Sequence, residues 1–383
     1  MSTPLAWLGA AVGVGLVAAT GTSVVATLVV PRRRRDRLVT GIDRTVDAAY
    51  RVLTGRIQDY LRRDHLLAAQ APIQLLLQLA AWLLLYLLGF ALLLWPLDPG
   101  GFGPALAQAG SSLFTLGYAS PTGTAATAVD YLASASGLVV VALQIGYLPT
   151  LYGAFNRRET EVTLLISRAG LPAWGPELLA RTRFGYQPDD RGVVMSDFYL
   201  NWERWAADVA ESHSTYAVLT RFRSPAAYSS WLVGLVAVMD SAALWLALSP
   251  ARAPATEARL ALRMGFTCLR QVAATVGLPV DNDPDPDGEL ALPYDDYLDG
   301  VARLATVGFP MDRTPEEAWP DFRGWRVNYE SVAYALAYRQ DCVHAQWTGP
   351  RRAGGAPLPP VRPPNRTPTR RPPAPSRARR ARS

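Results

Sequence analysis

The residues with the clearest catalytic potential are a Ser-His pair and an acid in the second half of the chain. Ser212 and His213 are adjacent, and Asp240 follows further along. Such residues carry out acyl transfer when a fold brings nucleophile, base and acid together. No GxSxG turn, which exposes the nucleophile of many hydrolases, accompanies them. We therefore interpret His213 as a structural, ion-paired residue and predict that the protein is not an enzyme.

Metal-binding patterns are also weak. Asp283-Pro-Asp-Pro-Asp-Gly288 begins like a calcium loop, but Tyr294 stands where such a loop needs a bidentate Glu. Cys268 and Cys342 are far apart, and the three His residues show no ligand spacing. We predict neither a metal site nor a cofactor.

Charge is concentrated outside one long segment of the chain. All 38 basic residues are Arg, and none lies between Asp64 and Asn156. The tail 350–383 holds ten Arg, which exceeds the formal net charge of +6, so the rest of the chain is net negative. The basic balance therefore belongs to this tail and to Arg32–Arg35, and we predict no nucleic-acid partner.

Three apolar runs are long enough to cross a bilayer, which takes about 20 residues. Leu5–Val30 is followed by Arg32–Arg35, which the positive-inside rule places in the cytoplasm. Pro72–Leu97 then runs outward. Tyr131–Phe155, with Asp130 as its predicted N-cap, returns to a second basic site, the pair Arg157 and Arg158.

A fourth apolar run, Trp231–Leu248, contains Asp240 near its middle. A carboxylate at the centre of a bilayer costs about 2.5–3.5 kcal/mol on insertion scales. We therefore predict that this run is a buried helix in the core of a soluble helical domain.

Two arginine-rich regions are candidates for contact with anionic lipid. Residues 36–70 have apolar side chains at helical spacing, which predicts an amphipathic helix. This helix either lies along the inner membrane surface or packs on the soluble domain. The Arg- and Pro-rich tail cannot bury a core and is predicted to be disordered, either attached to the inner leaflet or simply solvated.

The segment between the second and third runs, Asp98–Val129, is too apolar for an ordinary external loop. Within it, Pro104–Phe114 predicts a short helix with Pro in its first turn. This helix is about half as long as a span, so we expect it to re-enter the membrane among other helices.

The order helix, half-helix, Thr115-Leu-Gly-Tyr-Ala119, helix resembles the pore module of two-transmembrane potassium channels. Their filter reads Thr-Val-Gly-Tyr-Gly, and carbonyls from four copies replace the hydration shell of the ion. The resemblance implies a homotetrameric channel in which monovalent cations permeate. It implies a filter made of Thr115, Leu116, Gly117, Tyr118 and Ala119.

The filter-like string departs from that family at Ala119, which stands where the family has Gly. Gly adopts positive φ without steric cost and Ala does not, so we expect weak selectivity. We further predict that Asp98 and Asp130 lie at the pore mouth and that Gly146 and Pro149 form a gating hinge. The alternative is a non-conducting oligomeric scaffold whose helical domain binds a partner.

The predicted fold is thus all-α and integral to the membrane, with three transmembrane helices, a re-entrant pore helix and a helical cytosolic domain. The expected location is the plasma membrane, with the C-terminal half in the cytoplasm. The predicted divisions are an N-terminal transmembrane helix (1–30), a basic linker helix (31–70), a channel-like module (71–158), the helical domain (159–349) and the tail (350–383).

Overall fold

The chain is helical throughout the part that the structure describes. The structure, a computed structural model, describes residues 4–30, 36–121, 123–181 and 191–361, and these contain no β-strand. This confirms the prediction of an all-α fold. The basic run Arg32–Arg35 and residues 362–383 of the tail lie outside the described residues. The helices are α1 (Pro4–Leu28), α2 (Arg37–Thr54), α3 (Tyr60–Ala68), α4 (Gln70–Leu94), α5 (Phe102–Leu113), α6 (Thr124–Ala169), α7 (Gly175–Arg181), α8 (Arg191–Thr215), a 3-10 helix (Ala217–Arg221), α9 (Trp231–Leu248), α10 (Ala255–Val276), α11 (Tyr294–Ala305), α12 (Pro315–Arg326) and α13 (Glu330–Gln340).

Helices α1, α4, α5 and the first part of α6 pack into one bundle. Gly13 and Gly89 bring the backbones of α1 and α4 together, since a Cβ at Gly13 would lie 2.7 Å from the Gly89 carbonyl oxygen. Close backbone contact at small residues is the usual way for helices to associate in lipid. The indole of Trp82 also donates a 2.9 Å hydrogen bond to Ser23 Oγ, which ties α4 to α1.

Among the described residues, four helical stretches are long and apolar enough to cross a membrane, and the fourth differs from the others in its burial. They are Pro4–Leu28, Tyr60–Leu94, Thr124–Ala169 and Trp231–Leu248. Protein buries 28%, 39% and 28% of the apolar windows of the first three, but 100% of the fourth. Leu138 and Ile145 on α6 are each more than 60% exposed. Apolar surface on this scale indicates a membrane protein.

The helix boundaries differ from the sequence-based expectation at two places. The predicted third span begins at Thr124, after Gly123 with φ 101°, and continues without a break to Ala169. Asp130 therefore lies inside α6, and its predicted role as the N-cap is wrong. The predicted single linker helix is two helices, because Asp59 accepts a hydrogen bond from the Leu61 N–H and so starts α3 separately.

Helix α9 is the central element of the helical domain. Helices α6, α7, α8, α10, α12 and α13 pack around it, and all 18 of its residues are buried. Asp240, in the middle of α9, forms an ion pair with Arg326 and accepts a 2.6 Å hydrogen bond from the Tyr329 hydroxyl. The structure thus places α9 in the domain core, and these partners compensate the burial of its carboxylate.

The domain continues past the predicted start of the tail at residue 350. Val361 and Leu171 exchange backbone hydrogen bonds of 2.9 and 3.2 Å, and the Leu358 N–H donates to the His344 carbonyl at 2.7 Å. Arg351 is buried and donates to several carbonyls of the domain. Residues 350–361 are therefore part of the folded domain, and the predicted boundary is too early.

Candidate functional site

Helix α5 is the short helix that the sequence predicts before the filter-like string. It begins at Phe102, with Pro104 in its first turn, where a missing N–H costs nothing. Its small and apolar face, which includes Ala105, Ala109 and Leu113, is buried against α4 and α6. Twelve residues give a helix of about 18 Å, well short of a bilayer core.

The Thr115–Ala119 loop folds back onto the end of α5. The Leu116 N–H donates to the Ser111 carbonyl at 2.8 Å, and the Ala119 N–H donates to Ser111 Oγ at 3.1 Å. The Tyr118 hydroxyl donates to the Ala107 carbonyl at 2.9 Å. These bonds satisfy groups at the C-terminal end of α5 and fix the loop within one chain.

The sign of φ alternates along the backbone of this loop. Thr115 has φ 54° and Gly117 has φ 73°, whereas Leu116 and Tyr118 lie outside the positive-φ region. Ala119 has no positive φ either. The residue of this loop with a side chain and a left-handed φ is Thr115, and this conformation costs about 1–2 kcal/mol.

The outer surface of the loop is unusually apolar for an exposed turn. Phe114, Leu116 and Tyr118 are 45%, 62% and 65% exposed. Large apolar side chains in such a cluster mark a surface that contacts lipid or another protein.

Asp130 is buried within the single chain, and its predicted place at a pore mouth stays a prediction. Its carboxylate is buried between α6 and α5 and accepts a 3.0 Å hydrogen bond from Gln108 Nε2. Asp98 is half-buried and accepts a 2.7 Å hydrogen bond from the Gly100 N–H within its own turn. The structure therefore gives each of the two carboxylates its own hydrogen-bond partner.

Two further contacts hold α6 against the end of α5. Ser134 Oγ donates to the Ser112 carbonyl at 2.8 Å. A Cβ at Gly137 would lie only 2.1 Å from the Leu113 carbonyl oxygen, so only Gly allows this approach. Sequence reasoning missed these supports together with Gln108. Their signal was the presence of polar and small residues on α5 and α6, with nothing to show which of them meet.

The predicted hinge residues lie on an exposed part of α6. Gly146 and Pro149 are both exposed, and the helix is continuous through them. Pro149 has no N–H, so one bond of the helix is missing there. Just beyond, Leu151 and Ala154 pack against the start of α4 and the 3-10 helix, where membrane bundle and helical domain meet.

His213 has a structural environment, but the predicted ion pair is wrong, because its charged neighbour is an arginine. Arg158 is fully buried, donates to His213 Nε2 at 3.0 Å and binds Glu159. Burial, together with the charge of Arg158, lowers the pKa of His213 well below its usual value, so the ring is neutral. Ser212 contacts the other ring nitrogen, whereas Asp240 has the partners described above.

Comparison of the chain with protein-family models, curated proteins and solved structures finds no match.

Proposed function

We propose that the chain is one subunit of a homotetrameric cation channel of weak selectivity in the plasma membrane. The observation that carries the proposal is the Thr115–Ala119 loop, with its alternating backbone, at the end of a half-length helix between two long apolar helices. One such loop supplies only part of a ring, so a pore requires several copies. The permeant species would be monovalent cations.

The fit is best for the inner part of a filter. Thr115 and Gly117 have positive φ and the residues after each do not, and a backbone that alternates in this way can point successive carbonyls to one side, as coordination requires. Ala119 does not continue the pattern, and its N–H is bound to Ser111. An ion at the outer end would keep part of its water, and a hydrated ion is poorly discriminated by size. We therefore expect little preference for potassium over sodium.

The deciding experiment is conductance of the purified full-length protein in planar bilayers. We expect a cation current whose reversal potential in mixed salts lies well away from the potassium equilibrium value. Ala119→Gly should shift it toward that value, because Gly can adopt positive φ at no cost. Ala125→Gly, an exposed change in the first turn of α6, is the matched control and should leave it unchanged.

The second candidate is a non-conducting oligomeric scaffold with a partner-binding helical domain. The hydrogen bond from the Tyr118 hydroxyl to the Ala107 carbonyl favours it, because the loop is then closed onto its own helix. Absence of current from both wild-type protein and Ala119→Gly, in protein that is tetrameric by mass, would favour the scaffold. A monomer in mild detergent and in nanodiscs would contradict both.

The proposed topology places the turn near Gly101 outside the cell and the helical domain, with the segment after Pro350, inside. Cys introduced at Gly101 should react with an impermeant thiol reagent in intact cells, whereas Cys introduced at Ala353 should not. The native thiols of Cys268 and Cys342 are both buried, which keeps the background low. Labelling of both introduced sites from outside would contradict this topology.

A further inference from the structure

A cavity of about 360 Å³ lies between the linker helices and the helical domain. One wall is α2, with Arg44, Asp47 and Arg51. The opposite wall combines the loop after the 3-10 helix, the end of α13 and Arg352, and Gln70 at the start of α4 also lines the space. This volume is in the range of small-molecule sites and exceeds what a single water or ion needs.

The lining of this cavity is strongly basic. Its arginines are Arg44, Arg51, Arg221, Arg223, Arg339 and Arg352. Its two acids are already engaged by arginine. Asp47 accepts two 2.9 Å hydrogen bonds from Arg221, and Asp341 forms an ion pair with Arg63, which approaches from outside the cavity. Arg223 is paired with Asp64, which lies outside the lining, so the uncompensated positive charge is that of Arg44, Arg51 and Arg352.

Several donors around the cavity are not committed to protein acceptors of opposite charge. Arg44, Arg51 and Arg352 form no ion pair with any carboxylate in the part of the chain that the structure describes. Within the same part, the Ser224 hydroxyl and the Gln340 amide nitrogen are buried without a hydrogen-bond partner. These groups come from the linker, the connecting loop and the end of the domain, so they surround the space.

Arg339 shows the effect of this crowding. Its guanidinium is 3.4 Å from the carboxylate of Asp47, which it shares with Arg221. Burial lowers the pKa of Arg339, and the charges of Arg221, Arg51 and Arg352 lower it further, against the opposite effect of Asp47. An added anion would relieve this repulsion.

We infer that this cavity binds a phosphate-bearing anion that joins α2 to the helical domain. Planar guanidinium groups bind phosphate oxygens in pairs, and arginines from two walls can hold one phosphate from both sides. The phosphate belongs either to a free organic or inorganic phosphate or to the headgroup of an anionic lipid. The lipid is a candidate because Gln70, which lines the cavity, lies in the first turn of α4 within the candidate span Tyr60–Leu94. Binding here does not depend on whether the protein conducts ions.

The test uses the full-length protein in neutral detergent and two probes. Pyrophosphate binding is measured by titration calorimetry, and binding of phosphatidylglycerol, with phosphatidylcholine as reference, by native mass spectrometry. The pocket variant Arg51→Gln/Arg352→Gln removes one exposed arginine from each wall. The matched control Arg259→Gln/Arg263→Gln removes the same charge from the exposed face of α10. Thermal melting of each variant verifies that it is folded.

The wild-type protein should bind at least one probe saturably, and the pocket variant should lose about 100-fold in affinity, since each lost charged hydrogen bond is worth roughly tenfold. The control should bind as the wild type does. Saturable binding of pyrophosphate identifies a free phosphate as sufficient. Binding of phosphatidylglycerol alone identifies the lipid headgroup. The inference is overturned if neither probe saturates, or if pocket and control variants change affinity equally.

Discussion

Gly137→Ala tests the contact that positions the Thr115–Ala119 loop. The new Cβ would lie 2.1 Å from the Leu113 carbonyl oxygen, whereas ordinary contact begins at 3.4 Å. The obstacle is backbone, so α5 and α6 must separate by about 1 Å at this point. Overpacking of this kind costs about 1–3 kcal/mol, which exceeds the gain of about 1 kcal/mol from replacing Gly by Ala in a helix.

The assay is the thermal unfolding midpoint in detergent, compared with Gly146→Ala on the same helix. A Cβ at Gly146 meets nothing within 4 Å, so that variant gains helix propensity without a clash and should melt at the same or a higher temperature. Gly137→Ala should melt several degrees lower. If the two variants melt together, the close approach of α5 and α6 is not a feature of the folded protein. If the proposed pore exists, Gly137→Ala should also alter its current.

Three other perturbations probe the buried polar groups. Below about pH 6.5, His213 becomes protonated in the unfolded chain but not in the folded chain. The free energy of unfolding should therefore fall by up to about 1.4 kcal/mol for each pH unit. Between pH 7 and 5.5, the melting temperature of His213→Gln should fall less than that of the wild type. Asp130→Ala leaves the Gln108 amide without its acceptor and should cost about 1–3 kcal/mol in thermal unfolding, whereas Asp130→Asn should retain most of the stability. Asp240→Leu removes the carboxylate that pairs with the buried Arg326 and should lower the free energy of unfolding by about 3–5 kcal/mol. Size-exclusion chromatography should show a loss of monodisperse protein. As much monodisperse protein as the wild type gives would contradict the assigned pair.

The elements that the sequence predicts well are those set by local pattern. The apolar runs, the half-length α5 and the enclosed α9 follow from hydropathy, length and the cost of a carboxylate in lipid. The predicted helix boundaries are less accurate. A helix can continue into polar sequence beyond an apolar run, and hydropathy does not show where it ends. Helix α6 extends well past the run that predicted it.

The supports of the loop could not be predicted for a different reason. Asp130 and Gln108 are separated along the chain and meet only because α5 packs against α6. A free acid near an external turn suggests a pore mouth, and only tertiary packing shows that it is a buried acceptor. The same applies to Thr115, whose left-handed backbone follows from the bonds that return the loop to Ser111.

The length of α6 has a mechanical consequence. Its 46 residues form a rod of about 69 Å that starts just after the Thr115–Ala119 loop and ends with Val162, Leu165 and Ala169 in the core of the helical domain. The backbone hydrogen bonds along the helix resist twisting. Rotation of the helical domain about the axis of α6 would therefore be transmitted to the Thr115–Ala119 loop. Pro149, the one proline inside α6, has no N–H and so cannot donate a backbone hydrogen bond to the preceding turn. We therefore expect the helix to twist most easily at the turn that contains Pro149.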